Sequence, residues 1–508
     1  MSSNKIFSIN QIKKKIKLIK KEKKKIVLCH GVFDLIHIGH VKYFESAKKN
    51  YDYLIVSVTS DIFVNKGPGR PYFNQDLRMQ LLSSLEIVNA VVLSDYPTSE
   101  KILSTVRPDA YIKGPDYLNN KKDKTKNIYK EIKIVKKYGG EVKYTKDSVY
   151  SSSNLLNKFF KSLNDEQRKF IDKISKKYTF QKIEGFLETL KKSYPLLIGE
   201  TIIDQYIFCD TLGKSGKEPH LAAKDLYTET YLGGSAAIAN HLAEFSRTVE
   251  FITSIGHKKD FFSFIKKKLK KNIKTNFFLK NNSPTIVKKR FIDEISGSKL
   301  LGVYSINDNM VSKQIEKRII SKLNQKLKKT DCVIVSDYGH GLITEKIAKI
   351  ISKKKNFFAL NAQVNAANLG FHSLSKYRNI DALIINESEL RHEMRDKNSD
   401  IDKLSYQLLS KFKILYLIVT RGKNGVNLYT KKLKKKIHSP AFANKVVDKV
   451  GAGDNMLSLI SICLQKKIPL DLTLFLGSLA GAQSVESLGN SESLNKFRLL
   501  RNLEYLLK

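Results

Sequence analysis

Tryptophan is absent from this 508-residue chain, while cysteine occurs four times, methionine five and proline ten. The cysteines, Cys29, Cys209, Cys332 and Cys463, are far apart and form no C-x-x-C pair. That spacing excludes a disulfide framework and a zinc knuckle, and a reduced, cytoplasmic setting is expected. Long apolar runs are missing too. Nothing approaches the roughly 20 residues a membrane helix needs, and no apolar segment follows the lysine-rich N-terminus, so neither a membrane span nor a secretory leader is expected. Acidic residues are few, 49 against 91 Lys and Arg, for a formal net charge of +42. Such an excess suits a nucleic-acid or anionic-membrane partner. Here the lysines are spread along the whole chain and accompany an excess of Ile and Asn, as AT-rich coding produces. No nucleic acid is therefore expected, and attraction of anionic nucleotides and sugar phosphates is a sufficient use for the charge. With 42% hydrophobic residues, the chain can build two or three globular domains.

Chemistry first shows between Cys29 and His40. Ile26 to Cys29 is a short apolar run suited to a buried parallel strand, Gly31 ends it, and Val41, Phe44 and Ala47 have helical spacing from Gly39 onward. A helix starting beside His37 and His40 aims its unpaired N–H groups and positive dipole end at whatever lies there, and phosphate is the natural occupant. Gly39 between the histidines lets an anion approach the backbone. Tyr53 to Val58 is a second strand. Lys66-Gly67-Pro68-Gly69-Arg70-Pro71 then forms a loop with two cations. Arg78, Leu81, Leu82 and Leu85 mark an amphipathic helix, Ala90 to Leu93 a third strand, and Tyr111 to Tyr117 leads past Lys113, Gly114 and Asp116. Gly139 to Val142 opens a short strand, and Ser151, Ser152 and Ser153 precede a helical run as caps do. Strand and helix thus alternate from 26 to 160, as in an open parallel sheet with its site at the strands' carboxyl ends.

The string Gly31-x-Phe33-Asp34-x-x-His37-x-Gly39-His40 resembles the nucleotidyltransferases typified by glycerol-3-phosphate cytidylyltransferase. It resembles equally the adenylyltransferase half of the bifunctional heptose-phosphate enzymes of lipopolysaccharide synthesis. The loop at Lys66 to Pro71, the K-G-x-D-Y segment at Lys113 to Tyr117 and the serine turn follow in that family's order. The resemblance implies catalysis by His37 and His40. It puts nucleotide contacts at Gly31, Phe33, Lys66, Arg70, Lys113, Ser151, Ser152 and Ser153, and substrate contacts at Asp34 and Asp116.

Between Asn164 and Ser193 the composition turns highly charged, with apolar residues at helical spacing, and one or two linker helices are expected. Leu196 to Gly199 is a new apolar strand. Gly199-Glu200-Thr201-Ile202-Ile203-Asp204, Gly233-Gly234-Ser235-Ala236-Ala237, Ser336-Asp337-Tyr338-Gly339-His340-Gly341, Asn386-Glu387-Ser388-Glu389, Thr420-Arg421-Gly422-Lys423-Asn424-Gly425 and Asp448 to Asp454 occur in the order of the ribokinase-type (PfkB) sugar kinases, which this half resembles. The resemblance implies Asp454 as catalytic base and an anion hole at Gly451, Ala452 and Gly453. Thr420, Gly422 and Gly425 would face the nucleotide, with Asn386 and Glu389 at hydrated Mg2+. Asp204, Gly233, Gly234, Asn240 and Asp337 would face the sugar. Thr285 to Ile292 and Lys299 to Tyr304 read as a hairpin, which in such kinases lids the sugar. Four departures stand out: Glu200 where the family has Asp, Ala237 where it has a substrate-binding Asn, with Asn240 nearest to replace it, His340 for a lysine, and Asn361-Ala362-Gln363 for D-P-K.

The expected architecture is α/β throughout. It comprises a basic N-terminal helix (1–25), a Rossmann-like nucleotidyltransferase domain (26–163), a helical linker (164–193) and a ribokinase-like kinase domain with a small β lid (194–508). The whole resembles the bifunctional heptose-phosphate kinase/adenylyltransferase family with its domain order reversed. That implies nucleotidyl transfer from ATP or CTP to a sugar or polyol phosphate, ATP- and Mg2+-dependent phosphorylation of a sugar or sugar phosphate, and a homo-oligomer serving surface-glycan synthesis. Two alternatives remain. One is an active nucleotidyltransferase carrying a degenerate kinase-like binding or dimerising domain. The other is a basic RNA-binding protein, whose affinity would fall steeply with salt.

Overall fold

Val27, Leu28 and Cys29 form an apolar run without a polar break, and a strand of that kind is stable only with both faces covered. In the computed structural model, which describes residues 5–64, 70–114, 127–145, 163–353, 356–364, 368, 372–433, 435–443 and 445–507, that run is the fully buried centre of a parallel sheet. The chain divides into two units, Met1–Asn164 and Asp165–Lys508. Lys66, Asp116, Ser151, Ser152 and Ser153 lie outside the described residues.

The first unit has six strands in the order Ile6–Phe7, Ala90–Ser94, Tyr53–Thr59, Ile26–Gly31, Ala110–Lys113, Glu141–Tyr144, all pairing in parallel. The order in which strands are added reverses between Ile26–Gly31 and Ala110–Lys113, and such a switch point opens a crevice at the carboxyl ends. The segment before Ile26 is more than a solvated basic helix. Ser8 and Gln11 form a capping box for the helix Ile9–Lys21, whose Ile12, Ile16 and Ile19 are buried against the sheet while its lysines stay in water. Ile6 and Phe7 extend the sheet by an edge strand. Ile12→Ala is accordingly expected to cost this unit about 2–5 kcal/mol in urea unfolding, where a solvated helix would lose under about 0.5 kcal/mol.

The second unit is built on nine strands in the order Ile273–Lys280, Val249–Gly256, Pro195–Gly199, Cys332–Asp337, Phe357–Ala362, Ala382–Asn386, Tyr416–Thr420, Val426–Tyr429, Ile437–Ser439. The pairs run parallel as far as Tyr416–Thr420 and antiparallel beyond it. A separate four-stranded sheet, ordered Lys299–Ser305, Ile286–Asp293, Thr201–Lys214, Leu221–Gly233, carries the expected hairpin. The two longest strands of that sheet were not foreseen.

The helices Asp165–Lys177 and Phe180–Leu190 are part of this unit, not a free linker. Phe170 joins Phe442 and Phe475 in an aromatic cluster with centroids 5.2–6.1 Å apart. Gln167 Nε2 donates to the Ala441 carbonyl at 2.6 Å, and Lys177 pairs with Asp471 at 2.6 Å. Their apolar stripes are therefore core, and the charge noted in the sequence is the opposite face. Among the described residues no helix is long and apolar enough to cross a membrane, and the four cysteines are buried and free.

Candidate active sites

In the first unit the helix Ile38–Lys48 starts directly outside the central strand, with His37 as its N-cap. His37 Nδ1 accepts from the Gly39 N–H at 3.1 Å, so the ring proton resides on Nε2. Burial holds the His37 pKa below its ordinary value of 6.5, and the ring is neutral at pH 7. His40 lies beside it, ring centroids 4.2 Å apart, with the edge of Phe33 at 5.6 Å. Tyr43 on the same helix donates to the Ile112 carbonyl at 2.7 Å and fixes the helix across the switch point. Two imidazoles and a helix N-terminus thus converge where a phosphate would sit.

Several side chains expected at this site have other partners. Arg70 and Asp34 are both buried and pair with each other at 3.0 Å; Asp34 also accepts from the Tyr72 and Phe73 N–H groups at 2.7 and 3.1 Å. These contacts hold Arg70, Tyr72 and Phe73 to the segment that follows the central strand. Phe33 is 7% exposed and packs as core on Phe44, so its side chain offers a ligand little. Lys113 ends its strand at the crevice, but its ammonium sits 2.8 Å from Glu131 in a buried pair. His30, half-buried, is driven down to about 3 by desolvation and by Lys113, so it stays neutral.

Sequence reasoning missed Arg78. It is 1% exposed and donates to the Val32 carbonyl, to Phe73 O at 2.9 Å, to Thr59 O at 2.8 Å and to Asp61 Oδ1 at 2.6 Å. One guanidinium therefore ties two strand ends to the segment that follows the second of them. Only a planar fork satisfies acceptors in so many directions, so Arg78→Lys is expected to lower the unit's thermal midpoint and to cut nucleotidyl transfer more than tenfold. Pyrophosphate release and circular dichroism on one sample would check it.

In the second unit Asp454 stands in the first turn of the helix Ala452–Gln465, preceded by Gly451 at φ 87°. It is half-buried, and desolvation pushes its pKa from 3.8 up to about 7, with the Tyr338 hydroxyl at 3.1 Å opposing. Across from it stands Asp204 on the lid strand, whose Oδ2 lies so close to Gly233 that a Cβ there would sit 2.1 Å away. Arg290 pairs with Asp204 Oδ1 at 2.6 Å. Lys288, on the same strand face two residues earlier, is within electrostatic reach of Asp204 and Asp454, and burial lowers its pKa. Lys288 and Arg290 were legible only as alternating strand residues.

Glu389 and Asn386 form a capping box: Asn386 Oδ1 accepts from Glu389 N and Glu389 Oε2 from Asn386 N, both at 2.8 Å. Asn386 is thus the helix cap, with its Oδ1 engaged by the Glu389 N–H. Glu389 is buried and raised to about 7, chiefly by desolvation, with Asp454 adding to the rise. Thr420 ends its strand, and the Gly422–Gly425 turn is closed by Arg421 N donating to Gly425 O at 2.8 Å. Two expected sugar ligands are spent elsewhere. Asn240 bonds Lys268 O at 3.1 Å and Lys270 N at 3.0 Å, pinning a neighbouring loop. Asp337 accepts from Tyr377 at 2.5 Å and Gly339 N at 3.0 Å and pairs with Lys376 at 2.7 Å. His340 pairs with Asp308 at 2.6 Å, and Asn361 donates to the Ile384 carbonyl at 2.8 Å.

The second unit thus combines a nine-stranded sheet, a four-stranded sheet over it and a half-buried carboxylate at a glycine-led helix start, the architecture of a phosphoryl-transfer domain. The doubly wound sheet with its paired histidines defines a nucleotidyl-transfer domain. Residues 193–496 match the pfkB family carbohydrate kinases, and the chain belongs to that family; residues 28–158 match the cytidylyltransferase-like family. The Campylobacter jejuni (strain RM1221) bifunctional protein HldE is 28% identical over 325 residues, 63% of this chain and 67% of that protein. The Pseudomonas putida (strain GB-1) bifunctional protein HldE is 43% identical over 125 residues, 24% of each chain. Among solved structures, Arabidopsis thaliana ribokinase complexed with ribose and ATP aligns with 62% of this chain and 99% of its own, at 18% identity and a TM-score of 0.48. The chain therefore combines a nucleotidyltransferase and a carbohydrate kinase.

Proposed function

We propose that the second unit phosphorylates a sugar or sugar phosphate with ATP and that the first transfers a nucleotidyl group from ATP or CTP to a sugar or polyol phosphate, releasing pyrophosphate, in the supply of a surface-glycan precursor. The nucleotidyltransferase precedes the kinase, the reverse of the order in the heptose-phosphate enzymes it resembles. The observation that carries the kinase half is the half-buried Asp454 in the first turn of its helix, within electrostatic reach of Asp204 on the lid strand. Its carboxylate takes the acceptor hydroxyl proton while the turn's N–H groups meet the transferring phosphoryl group. In the first unit a phosphate oxygen of the acceptor attacks the nucleotide's α-phosphorus, and the imidazoles and helix N-terminus meet the charge that builds there.

Mg2+ fits the residues present in a limited way. Among the described residues no three His, Cys, Asp or Glu side chains cluster for a metal, but Mg2+ bound through phosphates and water needs only one or two carboxylates. Glu389, buried within electrostatic reach of Asp454 and bonded by the Asn386 and Val364 N–H groups, would hold it through water. When bound, the ion neutralises charge on the phosphates. A cytoplasmic homo-oligomer completes the proposal.

A second reading, a kinase-like domain without turnover, is favoured by Ala237 and by Asn361, whose amide is spent on a backbone carbonyl. Incubation with each NTP and a panel of sugar phosphates, reading pyrophosphate and ADP separately, tests both halves. Because Asp454 must be ionised to act and burial sets its pKa at about 7, acceptor-dependent ADP formation is expected to fall as pH drops below 7. A rate flat from pH 8 to 6 would remove Asp454 from that role.

A further inference from the structure

Asp448, six residues before the proposed base, joins parts of the kinase unit that are distant in sequence. Its side chain is 3% exposed. Oδ1 accepts from Lys299 Nζ at 2.6 Å and Val450 N at 3.2 Å; Oδ2 accepts from the Tyr206 hydroxyl at 2.9 Å and Gly489 N at 3.2 Å. Lys299 and Tyr206 belong to two strands of the lid sheet, whereas Val450 adjoins Gly451 at the anion-hole turn. The packing is as tight as the hydrogen bonding: a Cβ on Gly489 would sit 2.4 Å from the Tyr206 hydroxyl, and one on Gly451 2.4 Å from Asn490 Oδ1. On its other side Tyr206 carries the Arg290 guanidinium 5.3 Å from its ring centroid, and Arg290 holds Asp204. A continuous series of contacts thus runs from Asp204, through Arg290, Tyr206 and Asp448, to the turn that receives the phosphoryl group.

We propose that Asp448 and Lys299 are positioning residues that couple closure of the lid over the acceptor to assembly of the anion hole, so that the phosphoryl-binding turn is in register only when the lid is down. The proposal rests on the kinase reading above for its catalytic consequence, but not for the coupling itself. Burial raises the Asp448 carboxyl, yet the Lys299 ammonium and Tyr206 hydroxyl outweigh it and hold it below 3.8, so the group stays ionised at neutral pH. A carboxylate with its charge and lone pairs satisfied from both bodies loses half its partners if either moves away, which makes intermediate positions unfavourable.

The test compares wild type, Lys299→Met and Lys299→Arg by amide hydrogen exchange and by turnover. Lys299→Met is expected to raise exchange both in the lid strand 299–305 and in the turn 448–453. It should also lower acceptor-dependent kcat by about tenfold, the size of one partly exposed charge-assisted hydrogen bond, and raise the share of ATP hydrolysed without acceptor. ATP affinity should stay unchanged, and Lys299→Arg should restore the wild-type pattern in both readouts. If exchange in the turn is indifferent to Lys299→Met while the lid loosens, the coupling is overturned, whatever turnover shows. If the turn loosens with the lid but wild type forms no ADP with any acceptor, the coupling stands and the kinase reading falls.

Discussion

His40→Ala is expected to slow pyrophosphate release by roughly 10²-fold or more, the loss seen when one preorganised charge-stabilising donor is removed. The structure supplies the preorganisation. His37 caps the helix through its Nδ1 and therefore keeps its proton on Nε2; His40 stands one turn in, held against the Phe33 edge and the His37 ring. Neither ring has to reorganise when charge builds on the α-phosphate, which is the source of the advantage over water. Because burial keeps His37 neutral at pH 7, its N–H donor role should persist from pH 8 to 7, and no loss over that interval is expected on its account. The variant should remain folded, since His40 is only partly buried. A folded His40→Ala protein releasing pyrophosphate at the wild-type rate with every NTP would remove the pair from the chemistry. ADP formation by the second unit provides the internal control.

What was legible in the sequence was local. The His37-x-Gly39-His40 turn and the Gly451 to Asp454 turn each set glycine and polar group at a helix start within a few residues, and each does begin a helix. What was not legible depended on partners far along the chain. Arg70 reads as a cation awaiting phosphate until Asp34 is found beside it. Arg78 reads as one polar position of an amphipathic helix until the ends of two strands converge on it. The helices Asp165–Lys177 and Phe180–Leu190 were correctly read as helical and wrongly as linkers, because Phe442 and Phe475, which cover Phe170, come more than two hundred residues later. Asp337 and Asn240 show the same limit from the other side: their residue types suit a sugar, and only tertiary packing shows that Tyr377, Lys376 and the Lys268–Lys270 loop have already engaged them.

Asp454→Asn is expected to abolish acceptor-dependent ADP formation, by roughly 10²- to 10⁴-fold, and to leave pyrophosphate release unchanged. The substitution keeps the side chain's size, and its amide oxygen still accepts from Tyr338, now 3.1 Å from the carboxylate; what it removes is the capacity to take a proton. Its effect on stability runs opposite to its effect on rate. The Asp454 pKa is raised in the folded state from 3.8 to about 7 by burial, so the favourable, protonated form contributes fully below pH 3.8 and is lost as pH rises through 7. Above that, the folded protein carries an ionised, desolvated carboxylate that the unfolded chain would hold in water. Asp454→Asn relieves that cost, and its thermal midpoint should exceed the wild type's at pH 8 and converge toward it at pH 5. Parallel assays of ADP, pyrophosphate and melting temperature on the two proteins separate the possibilities. A stabilised variant that no longer phosphorylates is what a desolvated general base requires. A wild type that forms no ADP with any sugar or sugar phosphate, yet releases pyrophosphate normally and is stabilised at pH 8 by the same substitution, would mean that the second unit keeps the architecture of a kinase without its turnover.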